Sequence, residues 1–253
     1  LIWIPMARRK SLAFLDVGQG DCFVADTKSG AIIFDGGSSS EDQVGRYRIL
    51  PYMKYLGYQK IQIAVISHMD IDHYSGIKEL LEMGKIKYLG LPEIPKDETM
   101  KKIIGIAKKR GTTIFYLSRG RQITTKDGSL KVLHPQKNSQ MEKNVASLVM
   151  QGKILGYRVL LTGDVEKEGE EELLSEELER ADILKAAHHG SKNSTSNEFL
   201  QKVQPKQTVI SCGKQNRYGH PHLETIHRLQ TYRTKIYRTD RSGAIIFFKR
   251  RDG

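Results

Sequence analysis

Ser67-His68-Met69-Asp70-Ile71-Asp72-His73-Tyr74-Ser75-Gly76 brings two imidazoles and two carboxylates together between His68 and His73. The run before it, Ile61-Gln62-Ile63-Ala64-Val65-Ile66, is apolar and rich in β-branched residues, so it reads as a buried strand. From about Ser75 to Met83 the pattern is that of a short helix, with Ile77, Leu80 and Leu81 on one face. The polar stretch thus sits on the loop at the C-terminal end of a core strand, where α/β proteins usually place chemistry on a rigid support. A single Asp there would be an ordinary helix-start residue. Two carboxylates crowded on a buried strand end need a cation nearby, and the interleaved imidazoles are metal ligands by type.

The spacing His-x-Asp-x-Asp-His resembles the His-x-His-x-Asp-His signature of the metallo-β-lactamase superfamily, with Asp70 where the second His usually stands. Other stretches narrow the resemblance: Leu15-Asp16-Val17-Gly18-Gln19-Gly20-Asp21, Phe34-Asp35-Gly36-Gly37, Leu160-Leu161-Thr162-Gly163-Asp164, His188-His189-Gly190-Ser191, and Asn216-Arg217-Tyr218-Gly219-His220-Pro221-His222. Together they resemble the C-terminal domain of the ComEC competence-protein family, from about Leu12 to Ile246. That resemblance implies an α/β (α+β) fold, the four-layer αββα sandwich, and two divalent ions, Zn or Mn. It implies that Asp164 bridges the ions and that Asp35, with Asp16, supports the ligand loop without binding metal itself.

Length and composition are compatible with this. A chain of 253 residues can bury one large core, and no apolar run approaches the length needed to cross a bilayer. One domain over residues 1–253 is expected, with residues 1–11 as a tail. Its apolar stub Leu1-Ile2-Trp3-Ile4-Pro5, ahead of Arg8-Arg9-Lys10, suits a segment following a membrane span. Cys22 and Cys212 lack metal-ligand spacing and read as buried small hydrophobes. The net charge of +12, from 41 basic against 29 acidic residues, favours a polyanionic partner.

Read in order, the chain alternates short strands with helices and shows no repeat by identity. Hairpins are expected about Lys28-Ser29-Gly30 and Asp127-Gly128, a helix over Arg48–Leu56 with Pro51 in its first turn, and another over Glu98–Arg110. A helix is expected over Glu166–Leu178, a strand over Ile183–Ala187 leading into His188, and a closing hairpin over Ile236–Phe248. His134, before Pro135, reads as structural. By the resemblance, Asn144 and Ser147 stand where many superfamily members place a third ligand His.

The expected constellation assigns one ion to His68, Asp70 and Asp164, and the other to Asp72, His73, Asp164 and His188. His189 is the alternative to His188, which is preferred because it continues the strand. A set this rich in oxygen makes Mn²⁺ plausible beside Zn²⁺. Asp72, Asp164 and His220 are the catalytic candidates, with His220 or Tyr218 able to donate a proton to a leaving oxygen. Asn144, Ser147, Ser191, Lys192, Asn216 and Tyr218 are candidate substrate contacts, and Lys192 lies where a helix start can cradle phosphate.

The reaction class this points to is hydrolysis of a phosphodiester between two metals. The charge and the resemblance point to DNA, single- or double-stranded, and to attachment to the membrane channel part of a longer chain used in DNA uptake. The side of the membrane, cytoplasmic or extracytoplasmic, and the oligomeric state are left open; no small-molecule cofactor is expected. Alternatives are a small phosphoester hydrolase of the phosphorylcholine-esterase kind, a ribonuclease, and a nucleic-acid binding module with a structural metal. β-Lactam hydrolysis is disfavoured by Asp70.

Overall fold

The computed structural model describes residues 9–140, 144–175 and 178–250. The stub Leu1–Pro5 and Arg8 lie outside these residues.

The chain forms two seven-stranded mixed sheets. The first holds β1 (Ser11–Phe14), β2 (Phe23–Thr27), β3 (Gly30–Phe34), β4 (Ile61–Val65), β5 (Ile86–Pro92), β6 (Thr113–Leu117) and, from the far end of the chain, β14 (Ile245–Phe248). The second holds β7 (Gln122–Thr125), β8 (Gly128–His134), β9 (Val149–Ile154), β10 (Tyr157–Leu161), β11 (Ile183–Lys185), β12 (Gln207–Ile210) and β13 (Lys235–Arg238). Their orders are β14-β1-β2-β3-β4-β5-β6 and β13-β12-β11-β10-β9-β8-β7. Each sheet contains three antiparallel pairings followed by three parallel ones. The two halves therefore share one topology despite having no repeat by identity. In each half the parallel strands end at the same edge, so β3, β4, β10 and β11 deliver their C-terminal loops to one cleft.

Alternation along the strands builds the layers. Leu12 and Phe14 of β1 point between the sheets, while Ala13 and Leu15 point to the outer helices. In β10, Val159 and Leu161 face the other sheet and Leu160 faces the helices of its own half. Three apolar clusters result, one between the sheets and one beneath each helical layer. This is the αββα sandwich expected from the sequence. The helices include α1 (Leu50–Tyr55), α2 (Ile71–Glu82) and α3 (Glu98–Lys109) over the first sheet. Over the second lie α4 (Lys167–Leu174), α5 (Asn197–Val203) and α6 (Leu223–Thr231); α7 (Thr239–Ser242) is a single turn. Cys22 and Cys212 are both buried and free.

Three local expectations change. The segment before α1 is a π-helical turn, Gly45–Ile49, pressed against α2, where a Cβ on Gly45 would meet the Gly76 carbonyl oxygen at 2.4 Å. Helix α2 begins at Ile71 rather than near Ser75, because Asp70 is extended and Asp72 places an acid in the first turn. Asp72 and His73 therefore ride on a helix start. Lastly, Ile236–Phe248 is not a hairpin. β13 pairs with β12 in one sheet and β14 with β1 in the other. Helix α7 and Gly243, at φ +67°, carry the chain across, and Phe247 packs edge-on to Phe14 at 6.3 Å between centroids.

The ligand loop is clamped to the β3 end by backbone. Gly36 N donates to His73 O at 2.8 Å, Ile77 N to Gly36 O at 2.9 Å, and Asp21 N to Asp72 O at 3.0 Å. A Cβ on Gly37 would lie 2.6 Å from Asp72 C, His73 N and Ile71 O. These are backbone atoms and cannot swing aside. Gly37→Ala is expected to lower stability by about 3 kcal/mol, read as a lower urea midpoint; an unchanged midpoint would contradict this packing.

Candidate metal centre

The cleft floor is built from strand ends. Asp35, just past β3, is fully buried with φ +57°. Its Oδ1 accepts from Ser67 N at 2.7 Å and its Oδ2 lies 3.0 Å from His73 Nδ1. A proton on Nδ1 donated to this carboxylate leaves the His73 Nε2 lone pair facing Asp164 Oδ1 at 3.2 Å. From the other half, His189 Nδ1 donates to Ser211 O at 2.9 Å. Its Nε2 then faces Asp72 Oδ2 and Asp164 Oδ2, each at 3.4 Å. His68 Nδ1 is engaged by Ser67 Oγ at 3.0 Å and Ser147 Oγ at 3.2 Å, and its Nε2 is 3.7 Å from Asp70 Oδ2.

The buried Nε2 atoms of His68, His73 and His189, and Oδ1 of Asp164, have no hydrogen-bond partner. Three imidazoles whose Nδ1 atoms are engaged elsewhere thus turn their other nitrogens toward acidic oxygens. Unsatisfied buried polar atoms are costly, and this donor set fits divalent ions. Asp21, His73, Asp164 and His189 each contribute a ligand-type atom lying within 4.8 Å of the others.

Charge is concentrated here. Burial opposes ionisation of Asp164, yet the imidazoles of His189 and His73, with Lys185, hold its carboxyl well below the usual range. Burial likewise opposes a proton on His73, but Asp164 and Asp35 raise its pKa well above the ordinary value. His189 is raised to about 10 against its burial by Asp164 and Asp21. The protons on these rings balance the carboxylates, and an entering cation must displace them.

A cavity of about 360 Å³ opens over the cluster, lined among others by Gln19, Asp70, Asp72, Asn144, His188 and Tyr218. The sequence model of the metallo-beta-lactamase superfamily matches residues 15–214. The chain belongs to the metallo-beta-lactamase superfamily. Members of this superfamily are largely metal-dependent hydrolases. ComE operon protein 3 of Bacillus subtilis is 37% identical over 259 residues, covering 94% of this chain and 33% of the relative. Competence protein ComA of Neisseria gonorrhoeae is 30% identical over 248 residues, covering 94% and 32%. The chain spans about a third of the length of these curated relatives. Among solved structures, the metallo-beta-lactamase fold protein YhfI of Bacillus subtilis superposes with a TM-score of 0.63 at 13% identity, covering 93% of this chain and 99% of that one. The resemblance to ComEC-type competence proteins read from the motifs is thus found across nearly the whole chain.

Within the superfamily frame, the expected residues fall into distinct places. His68, Asp70, Asp72, His73 and Asp164 come together on the cleft floor. His188 and His189 do not share a direction. β11 ends at Lys185, and the chain then turns tightly, with φ +47° at His188 and +53° at His189. His189 is buried in the cluster, while the half-buried His188 lies 3.0 Å from Glu166 Oε1 by its Nδ1 and 3.8 Å from Asp164 Oδ2 by its Nε2. Consecutive residues in this strained region mark a position held for a purpose.

Ser147 is wholly buried; its hydroxyl accepts from Asp164 N at 3.2 Å and touches His68. It braces both residues from behind. Asn144 lies at the cavity wall and donates to Glu166 Oε1 at 3.4 Å. Asp16 accepts from Gly18 N at 3.2 Å and shapes the turn before Asp21. Ser191 is buried in the turn after the His pair, and Lys192 lines a separate groove with Glu166 and Arg228. Asn216 organises its own loop, donating to Gly213 O and His220 O and accepting from Tyr218 N and His220 N. That loop sets Tyr218 against His220, rings stacked at 5.6 Å, with the Arg217 guanidinium 4.9 Å from the Tyr218 ring centroid. His134 bonds Val145 O at 2.6 Å, away from the cluster.

Two further residues, Asp21 and Lys185, reach the site, and motif spacing alone assigns neither a role. A charged residue inside the apolar run Ile183-Leu184-Lys185-Ala186-Ala187, three before the His pair, was the available signal.

Proposed function

We propose that this protein is a dinuclear-metal-dependent phosphodiester hydrolase that cuts DNA, acting in DNA uptake as a domain of a membrane-attached chain. The observation that carries the reading is the convergence of the unpartnered Nε2 atoms of His68, His73 and His189 with Asp164, Asp70 and Asp72 under an open cavity. In this reading His68, Asp70 and Asp164 hold one ion, and Asp72, His73, Asp164 and His189 the other. His189 takes the place given to His188, because it is the imidazole whose Nδ1 is anchored and whose Nε2 faces both carboxylates. Two such ions, Zn or Mn, supply Lewis acidity and a nucleophilic water at neutral pH.

The chain's own residues do the rest. Asp35 and the Ser211 carbonyl fix the two ring tautomers. His220, across the cavity, is pushed down to about 4 by burial and by the neighbouring imidazoles of His189, His188 and His222. It lines the cavity beside His188 and His189, placed to offer a hydrogen bond to the leaving oxygen. Tyr218 and Arg217 stand at the mouth, where a polymer would pass. The net charge of +12 supports a polyanionic substrate, and the competence relative supports DNA. The chain's coverage of about a third of its relatives supports its being a domain of a longer chain. No helix among the described residues is long and apolar enough to cross a membrane.

The test is digestion of single- and double-stranded DNA, RNA and a small chromogenic phosphodiester, with and without chelator. DNA cleavage that requires Mn²⁺ or Zn²⁺ is expected, with log affinity falling by about 0.7–0.9 per phosphate contact per log unit of salt. Rapid turnover of the small diester with no cleavage of any DNA would replace the nuclease by a small-phosphoester hydrolase. Metal-independent DNA binding with no cleavage of any substrate would leave a binding module.

A further inference from the structure

Lys185 is 4% exposed, and its side chain enters the cluster from β11. Its ammonium donates to Gly163 O at 3.1 Å, contacts Asp21 Oδ2 closely, and lies 3.6 Å from Asp164 Oδ1. Asp21 is buried too, and it stands on the Nδ1 side of both metal-facing rings, 3.7 Å from His73 Nδ1 and 3.5 Å from His189 Nδ1. Beside imidazoles that must give up their protons to an entering ion, the cluster thus contains an ammonium held by the chain itself. We propose that Lys185 is a permanent internal cation of the metal pocket, which with Asp21 sets how tightly the pocket holds divalent ions. This rests on the proposed function only in taking the pocket to bind such ions.

Lys185 and Asp21 are both buried, so solvent screens their charges weakly. An ammonium beside Asp164 repels any cation that the same carboxylate attracts, and burial weakens the screening of that repulsion. Asp21 offsets it by pairing with the ammonium. Removing either member alone shifts the charge of the pocket by one unit, in opposite directions. A pair that served packing alone would behave otherwise. Breaking it from either side would leave an uncompensated buried charge and loosen the site, so both single changes would weaken metal binding.

The experiment uses the purified protein, freed of metal and titrated with Mn²⁺ or Zn²⁺ against a chromogenic chelator, with thermal melts as a check on folding. Lys185→Met should bind the ion about tenfold more tightly or better. Lys185→Gln keeps a donor for Gly163 O and Asp21 and should tighten binding in the same direction, so it carries the test if the Met variant does not fold. Asp21→Asn should bind about tenfold more weakly, and Lys185→Gln with Asp21→Asn should return to within about threefold of the parent. Unchanged or weaker binding by a folded Lys185 variant, or tighter binding by Asp21→Asn, would overturn the inference while leaving the metal pocket standing. A parent protein that binds neither ion would overturn the proposed function, and this inference with it.

Discussion

Asp164→Asn is expected to lower metal-dependent turnover about 1000-fold or more, and to do so more severely than Asp70→Asn. Asp164 is buried between rings from both halves of the chain: Oδ1 faces His73 Nε2 at 3.2 Å and Oδ2 faces His189 Nε2 at 3.4 Å. It is buried and held ionised against its burial by His189, His73 and Lys185. A carboxamide keeps the shape but removes the charge that would neutralise two ions together. Losing about 4 kcal/mol of stabilisation at the reacting centre corresponds to that factor. Asp70 is half-buried at the start of α2, 3.7 Å from His68 Nε2, and serves only the His68 side. Steady-state turnover at saturating Mn²⁺, with bound metal counted by elemental analysis, checks the ranking. Equal and mild losses in the two variants would show that Asp164 does not bridge.

The second large effect separates two adjacent residues. His189→Ala is expected to abolish one metal equivalent and to lower turnover by about 1000-fold, while His188→Ala costs about tenfold or less. The rings diverge because both residues adopt left-handed backbone after Ala187. His189 is anchored through Nδ1 on Ser211 O and turned into the cluster. His188 has its Nδ1 3.0 Å from Glu166 Oε1 and its Nε2 3.8 Å from Asp164 Oδ2, with its ring centroid 6.2 Å from that of its neighbour. Metal counting alone decides it. A His188 variant that loses an ion while the His189 variant keeps both would reverse the assignment.

The ligand loop was legible because everything that makes it a loop is local. The β-branched run of β4, the carboxylates and imidazoles that follow it, and the apolar spacing of α2 all lie between Ile61 and Glu82. The hairpin near Asp127-Gly128 was legible for the same reason, although its two-residue turn is Lys126-Asp127, with Gly128 already paired to Thr125. The motifs taken together were enough for the superfamily, and the four layers followed from that resemblance. Other features depended on contacts that no window contains. β14 joins β1 rather than folding back on β13 because Ile245 and Phe247 find the core between the sheets, across the length of the chain. The start of α2 moved because its first turn is gripped by Gly36 and Asp21 from two other loops.

What the sequence by itself determined is the superfamily and its sandwich, and that the motifs rich in imidazole and carboxylate lie at strand ends. Hydrophobic period and residue type are local properties and survive being read in one dimension. Only the tertiary structure decided direction: that His189 is buried with its Nε2 facing both Asp72 and Asp164 while His188 lies at the cavity wall, that Ser147 braces His68 and Asp164 from behind, and that Lys185 and Asp21 meet beneath the two rings. Side-chain direction follows from backbone dihedrals and from partners brought by other strands. Two halves with one topology and unlike sequences supply those partners only after their sheets have packed.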